Sequence, residues 1–444
     1  MKQKRSLIII FYILLIILPF ALYLRNNSTG GIDIQYALPA FFGLTAYTLF
    51  NFELLLVSKN KFLDKHFGLD KLYRFHMFIA VIALILSYLH KILKEELFSE
   101  SFKTQLGDIS LVIFISVAIF SILMMINKLF FKIHLAEKLR IFLNNTLKIK
   151  YEHKVFLHNI MVIALIMLIA HILLVDSVKS NLALELTLII YFVVPFISYL
   201  YNKIGKIYFS KKHKYEVSEV IKEANNIITL KFKPKSGKIF DYVPGQFLYV
   251  RVSNHEVPGD EHPFTISSSP LEESCVAITI KQLGDFSNKV HKIKIGDRAY
   301  IDGSYGSFSY LKKNNINKLC FLAGGIGITP FLGMLRYINV KDKDISVKLL
   351  WGVRDESEII CNEEFRDLSN TINDFELIPV LSNTPNYSGE TGFIDIEKIK
   401  KYVKNIDDYD FFICGPPIML DAQIKNLKAL DVPNKKIHYE NFSI

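Results

Sequence analysis

Apolar residues fall in long unbroken runs up to about residue 205 and in short alternating runs after it. The first part holds six long runs, at about 6–24, 34–57, 72–93, 106–127, 155–175 and 182–202. Each is close to the ~20 residues a helix needs to cross ~30 Å of hydrocarbon. Lipid offers backbone amides no partners, so each run is expected to be a helix. The first run begins with Lys2, Lys4 and Arg5, as a secretory signal would, but it is long and no small-x-small cleavage site follows it. It is expected to stay as a spanning helix, giving a six-helix transmembrane bundle.

The second part reads differently. Tyr215-Glu216-Val217, Ile227–Phe232 and Phe247–Val252 look like short strands, with Pro244-Gly245 and Gly296-Asp297 as turn signals. This predicts a small antiparallel β-barrel from about 214 to 311. From about 317 four buried strands, Leu319–Ala323, Val347–Trp351, Glu376–Leu381 and Phe411–Cys414, alternate with helical stretches. That predicts a Rossmann-like parallel α/β nucleotide domain. Its first strand runs into Gly324-Gly325-Ile326-Gly327-Ile328-Thr329-Pro330. Glycines at such a turn let the backbone approach a pyrophosphate whose charge rests on the following helix N-terminus.

Charge sets the orientation. The chain carries a net +10, but Lys and Arg form no single stripe in the second part, so no nucleic-acid partner is expected. They gather at the N-terminus, in the 58–71 and 128–154 loops and in the 203–214 segment. The 25–33 and 176–181 loops carry one each, Arg25 and Lys179. The positive-inside bias makes this a multi-pass protein of the cell membrane with both termini cytoplasmic. Cys275, Cys320, Cys361 and Cys414 lie far apart without a C-x-x-C pair, which argues against a zinc site, an iron–sulfur cluster or a disulfide framework.

Four histidines stand inside the apolar runs: His76 and His90 in the third, His158 and His171 in the fifth. Such side chains are costly in lipid and are functional candidates. The third and fifth runs point the same way in a six-span topology. His76 and His158 then lie toward the cytoplasm, and His90 and His171 toward the far face. The pairs are separated by 14 and 13 residues, or about 21 and 20 Å of helix. One histidine from each run could hold a haem in each leaflet. Two imidazoles leave iron no open position, which suits electron transfer. On an ideal helix His90 returns to within about 40° of His76, whereas His171 lies about 140° from His158. The fifth run is therefore not expected to present both rings on one stripe.

Several motifs together carry a family resemblance. His262-Pro263-Phe264-Thr265-Ile266-Ser267-Ser268 resembles the flavin signature of ferredoxin–NADP reductase-like domains. Gly324 to Pro330 resembles their G-G-x-G-x-T-P nucleotide motif, Cys414-Gly415-Pro416-Pro417 their C-G-P-P motif, and Tyr439-Glu440-Asn441-Phe442 their terminal aromatic motif. Asp302-Gly303-Ser304-Tyr305-Gly306 resembles their D-G-P-x-G turn with Ser304 in place of proline. Joined to six apolar runs with paired histidines, the chain resembles the NADPH oxidase and ferric reductase superfamily, and most of all its compact prokaryotic NADPH oxidases.

The resemblance implies three domains: a haem domain over 1–212, an FAD-binding barrel over 213–314 and an NAD(P)H-binding domain over 315–444. It implies FAD held by His262, Pro263, Phe264, Thr265 and Ser267, with Lys281 on its phosphate and Gly284 and Ser287 on its pyrophosphate. It implies nucleotide held by Gly324, Gly325, Gly327, Thr329, Pro330, Cys414, Gly415 and Pro416. Phe442 would cover the flavin where nicotinamide docks, with Cys414 beside it as the other residue at the reacting centre. Two b-type haems would sit on His76, His158, His90 and His171. Arg354, after the second strand of the nucleotide domain, could clamp a 2′-phosphate, which favours NADPH with NADH also usable. The expected acceptor is oxygen, reduced to superoxide. A ferric chelate is the alternative, and Lys94, one turn beyond His90, could attract either. An electron-supplying module for an extracytoplasmic protein is a third reading. The short 176–181 loop exposes little docking surface for one, and no obligatory protein partner is expected.

Overall fold

The computed structural model describes residues 2–27, 33–95, 101–125, 138, 142, 151–205, 213–313, 316–384 and 386–440. They form two compact units, Met1–Phe67 with Lys71–Ile204, and Gly205–Ile444 with Gly68–Asp70.

The first unit is helical. Its elements are α1 (Lys2–Asn27), α2 (Ile34–Val57), α3 (Lys61–Phe67), α4 (Leu69–Glu95), α5 (Phe102–Met125), α6 (Tyr151–His158), α7 (Met161–Leu173) and α8 (Leu182–Leu200), with a single turn at Asp176–Lys179. Six helical stretches among the described residues are long and apolar enough to cross a membrane. Their outer surface is apolar: Leu7, Ile10, Phe11, Phe78, Ile85, Val112 and Ile190 are exposed. Water would not tolerate so large a greasy face on a monomer, whereas lipid solvates it. α2 is the most buried span, and polar groups tie neighbours together in its surroundings. Tyr47 donates to the Leu188 carbonyl at 2.7 Å and Tyr191 to the Leu15 carbonyl at 2.9 Å.

The fifth run departs from a single ideal helix. α6 ends at His158, and a two-residue turn, Asn159-Ile160, precedes α7. Ile160, Val162 and Ile163 donate to carbonyls three residues back, those of Leu157, Asn159 and Ile160. Each residue of such a 3₁₀ turn advances about 120° instead of about 100°. The extra rotation brings His171 back toward the phase of His158. Asn159 at the break accepts a hydrogen bond from the Tyr199 hydroxyl of α8 at 3.0 Å.

The second unit begins with an antiparallel sheet in the order β4-β3-β6-β1-β2-β5. The strands are β1 (Lys214–Ala224), β2 (Ile227–Pro234), β3 (Phe247–Ser253), β4 (His262–Thr265), β5 (Val276–Lys281) and β6 (Arg298–Tyr305). An Ile266–Ile278 bridge joins the two ends and closes the barrel. Leu230, Phe232, Leu248, Val250, Ile278 and Ile301 fill it.

A parallel sheet follows, in the order β10-β9-β8-β7-β11-β12. It comprises β7 (Lys318–Gly324), β8 (Ser346–Val353), β9 (Phe375–Leu381), β10 (Glu390–Thr391), β11 (Asp410–Cys414) and β12 (Ile437–Tyr439). Helices α9 (Thr329–Lys341), α10 (Asn362–Thr371), α11 (Ile396–Tyr402) and α12 (Pro417–Ala429) accompany it. Separate apolar clusters, around Phe331 and Trp351 and around Ile399 and Leu420, pack against the sheet, as a parallel sheet covered on both faces requires. The two short strands at its edges, β10 and β12, carry too little pattern to stand out in the sequence.

Candidate functional site

The helical unit brings four histidines of its long apolar helices together as two facing pairs. The ring centres of His76 and His158 are 6.1 Å apart with the planes at 79°. Those of His90 and His171 are 6.5 Å apart with the planes at 77°. In each ring Nδ1 is committed to an oxygen. His76 Nδ1 meets the carboxylate of Glu53, and His158 Nδ1 lies 2.9 Å from the Ser121 hydroxyl. His90 Nδ1 donates to the Pro39 carbonyl at 2.8 Å and His171 Nδ1 to that of Lys103 at 2.6 Å. Outer hydrogen bonds of this kind fix the tautomer and leave Nε2 to bind a metal.

The spacing fits one metal between each pair. Bonds of about 2 Å from metal to imidazole nitrogen, with about 1.1 Å from nitrogen to ring centre, put the centres about 6.2 Å apart. The observed separations bracket that figure. A porphyrin iron needs only two such axial ligands. Among the described residues no group of three or more His, Cys, Asp or Glu side chains is placed to hold a metal. A cavity adjoins the His76–His158 pair, lined by apolar residues including Leu54, Leu84 and Leu165 and by the stacked rings of Phe50 and Phe114.

The outer pair rests on two matching backbone cradles. Gly43 and Gly107 each follow by four residues the carbonyl that holds a histidine, Pro39 and Lys103 respectively. A Cβ on Gly43 would lie 2.7 Å from His90 Nδ1, and one on Gly107 3.1 Å from His171 Nδ1. Only glycine lets the ring reach the carbonyl at Gly43. Gly43→Ala is expected to displace His90 and weaken haem retention at that pair by roughly 10-fold or more, as loss of an outer-shell partner does. Haem content measured after dialysis checks this, and full retention would remove the cradle role.

In the barrel, β4 packs His262 and Phe264 against Phe286, at ring separations of 4.2 and 5.7 Å. The flavin signature and the Gly284–Ser287 turn therefore meet. Ser287 organises that turn: its hydroxyl accepts from the amides of Leu283 and Gly284 at 3.0 and 2.8 Å. Pro263 is exposed and Thr265 half-buried on the same strand. Two expected contacts are directed elsewhere. Ser267 is buried, its hydroxyl accepting from Thr279 at 3.0 Å inside the barrel. Lys281, expected on a phosphate, donates to Glu358 of the nucleotide domain at 2.7 Å.

In the nucleotide domain the two glycine motifs pack backbone against backbone. β7 and β11 are paired with Ala323 opposite Cys414. A Cβ on Gly327 would lie 2.3 Å from the Cys414 carbonyl oxygen, and one on Gly415 3.2 Å from Gly324 Cα. Trp351 donates to the Gly325 carbonyl at 2.8 Å and pins the turn, and Thr329 donates to the Ile326 carbonyl at 3.1 Å. Pro330 sits in the first turn of α9, where a missing amide hydrogen costs nothing. Pro416 caps α12 with extended backbone. Burial, with the Glu440 charge adding to it, pushes the Cys414 thiol up, so it acts as a neutral group and not as a thiolate. Arg354 is exposed after β8, and the Asp355 carboxylate beside it turns back to the Ser357 amide at 3.0 Å. Phe442 lies outside the described residues.

Sequence reasoning missed several positions. Glu53 is an acid within an apolar run, which is itself a signal. Gly43 and Gly107 carried none without coordinates. Arg336 pairs with both carboxylate oxygens of Glu364, at 2.6 and 2.7 Å, and donates to the Ser267 carbonyl at 2.6 Å. A planar fork of this kind holds geometry better than a point charge, and it ties α9 to the flavin signature.

Comparisons with known proteins agree with this half of the chain. Residues 210–319 match the model of an FAD-binding domain, and residues 321–425 that of the oxidoreductase NAD-binding domain. The reductase component of propane 2-monooxygenase from Mycolicibacterium smegmatis is 29% identical over 240 residues, 51% of this chain and 67% of that protein. Flavohemoprotein A of Dictyostelium discoideum is 27% identical over 243 residues, 51% of this chain and 59% of that protein. A ferredoxin–NADP+ reductase from Neisseria gonorrhoeae, solved with FAD and NADP, is 23% identical with a TM-score of 0.45, covering 52% of this chain and 98% of that one. The chain thus spans about three-fifths to two-thirds of these curated relatives. Its C-terminal half is an FAD-binding domain followed by an oxidoreductase NAD-binding domain, the two parts through which electrons pass from NAD(P)H to FAD.

Proposed function

We propose that the chain is a transmembrane flavohaem oxidoreductase that carries electrons from cytoplasmic NADPH, through FAD and two b-type haems, to oxygen on the far side, giving superoxide. The observation that carries this reading is the pair of imidazole clamps, 6.1 and 6.5 Å across, with every Nδ1 held from outside. Bound flavin supplies the conversion of a two-electron hydride into single electrons, which bound haem iron accepts one at a time.

The residues of this chain bind and orient. His262, Phe264 and Phe286 form an aromatic wall for the flavin, and the Gly284–Ser287 turn offers backbone amides to its pyrophosphate. Gly324, Gly327 and Gly415 let the two nucleotide turns pack against each other, with Arg354 for a 2′-phosphate. Cys414, neutral and buried beside Gly415, would shape the nicotinamide pocket, and Phe442 is assigned to the flavin face where nicotinamide docks. His76 with His158, and His90 with His171, would hold the two irons, and the apolar lining at the His76–His158 pair would exclude water.

One reading competes on a specific observation. Several relatives are reductase components, such as those named for propane 2-monooxygenase and glycine betaine monooxygenase. This chain could likewise supply a partner protein. Purified protein given NADPH and oxygen is expected to reduce cytochrome c in a reaction that superoxide dismutase suppresses. Reduction that persists with dismutase would favour direct delivery to a protein or ferric acceptor.

A further inference from the structure

The two histidine pairs differ in one respect that the haem reading alone does not require. His158, His90 and His171 hand their Nδ1 hydrogen bonds to neutral oxygens: a hydroxyl and two backbone carbonyls. His76 alone meets a carboxylate, that of Glu53. Glu53 sits on α2, the most buried span, and is itself buried. Its second oxygen has no hydrogen-bond partner among the described residues. At the other end the acids are matched by bases. Lys91 pairs with Asp108, and Lys103 with Asp176, each at 2.8 Å. Neither of those acids holds a histidine.

A carboxylate that accepts from an axial imidazole makes that ligand a stronger electron donor. It also places negative charge one imidazole away from the metal, in surroundings that screen it poorly. Both effects favour the oxidised iron, which carries one more positive charge than the reduced iron. The outer pair rests on two neutral carbonyls, and the Asp108 charge near His171 is paired with Lys91.

We propose that Glu53 is a positioning residue that sets the direction of electron flow, by lowering the midpoint potential at the His76–His158 pair below that at the His90–His171 pair. One electron shared between the two sites then rests at the outer one. The fold thus builds a downhill step from the inner ligand pair to the outer with a single acid. The inference rests on the haem-binding reading given above and adds the role of Glu53 to it.

Mediated potentiometric titration of the purified, haem-loaded full chain, followed in the visible α band, tests it. The wild type is expected to titrate in two one-electron steps. Glu53→Gln is expected to raise the lower midpoint by a factor of 10 or more in the reduction equilibrium, about 59 mV for one electron, and to leave the upper one in place. Glu53→Asp should keep the lower value. Two unmoved midpoints in Glu53→Gln, with both haems retained, would overturn the role. If Glu53→Gln fails to keep its inner haem, His171→Leu and His158→Leu decide. The haem left in His171→Leu must titrate below the haem left in His158→Leu, and equal or reversed values overturn the inference. A wild type that binds no haem at all would instead remove the reading on which it rests.

Discussion

His90→Leu is expected to leave one haem per chain in place of two and to abolish reduction of far-side acceptors, while NADPH still reduces the flavin. The reason lies in the ligand count. In the proposed reading His90 supplies one of the two imidazoles of its haem site, 6.5 Å from its partner, and leucine has no lone pair to offer. Losing an outer-shell partner already costs 10–100-fold in metal affinity, so losing the ligand itself should reduce acceptor turnover by roughly 100-fold or more. The flavin and nucleotide segments belong to the other compact unit and should react as before. Haem content by pyridine haemochrome, flavin bleaching under anaerobic NADPH and steady-state acceptor reduction separate the two halves. Unchanged acceptor turnover would reject the two-haem path.

Gly327→Ala is expected to have the largest effect in the nucleotide half. Its Cβ would lie 2.3 Å from the Cys414 carbonyl oxygen, 2.7 Å from the carbonyl carbon and 2.9 Å from Gly415 Cα. Those are backbone atoms continuing a paired strand, so they cannot swing aside as a side chain end would. Overpacking of this kind costs about 1–3 kcal/mol. The turn must move by about 1 Å relative to Cys414-Gly415-Pro416, and a misplacement of that size can slow a reaction roughly 100-fold. Single-turnover flavin reduction by NADPH should show the loss while haem content stays at the wild-type value. A wild-type hydride-transfer rate would mean that the two motifs do not jointly form the nicotinamide site. Gly325 makes a contrast: an added Cβ there meets nothing within 4 Å, although its φ of +53° still favours glycine.

The fold was legible where patterning is strong. Six apolar runs gave six helical stretches of spanning length; β4, β5 and β6 were not singled out, but β1 to β3, β7 to β9 and β11 were visible as β-branched and aromatic runs. The short edge strands β10 and β12 were not, since two or three residues carry no period. The pairing of His76 with His158 and of His90 with His171 followed from depth along two parallel runs. What could not be read was how His158 and His171 come into phase. That depends on carbonyls three residues back accepting at Ile160, Val162 and Ile163, a local rewinding that an apolar sequence does not announce. The glycine cradles were equally silent, because Gly43 and Gly107 matter only through the rings of His90 and His171 on other helices. Lys281 shows the converse. The resemblance implied a phosphate contact for it, and its ammonium is engaged by Glu358, a partner 77 residues away in sequence.

Haem stoichiometry and ligation in the purified chain test the central claim most directly. The account predicts two b-type haems per polypeptide, both low-spin with two axial imidazoles by electron paramagnetic resonance, and both lost in a variant lacking His158 and His171. A preparation that takes up no haem, or whose haem is high-spin with an open axial position, would contradict it.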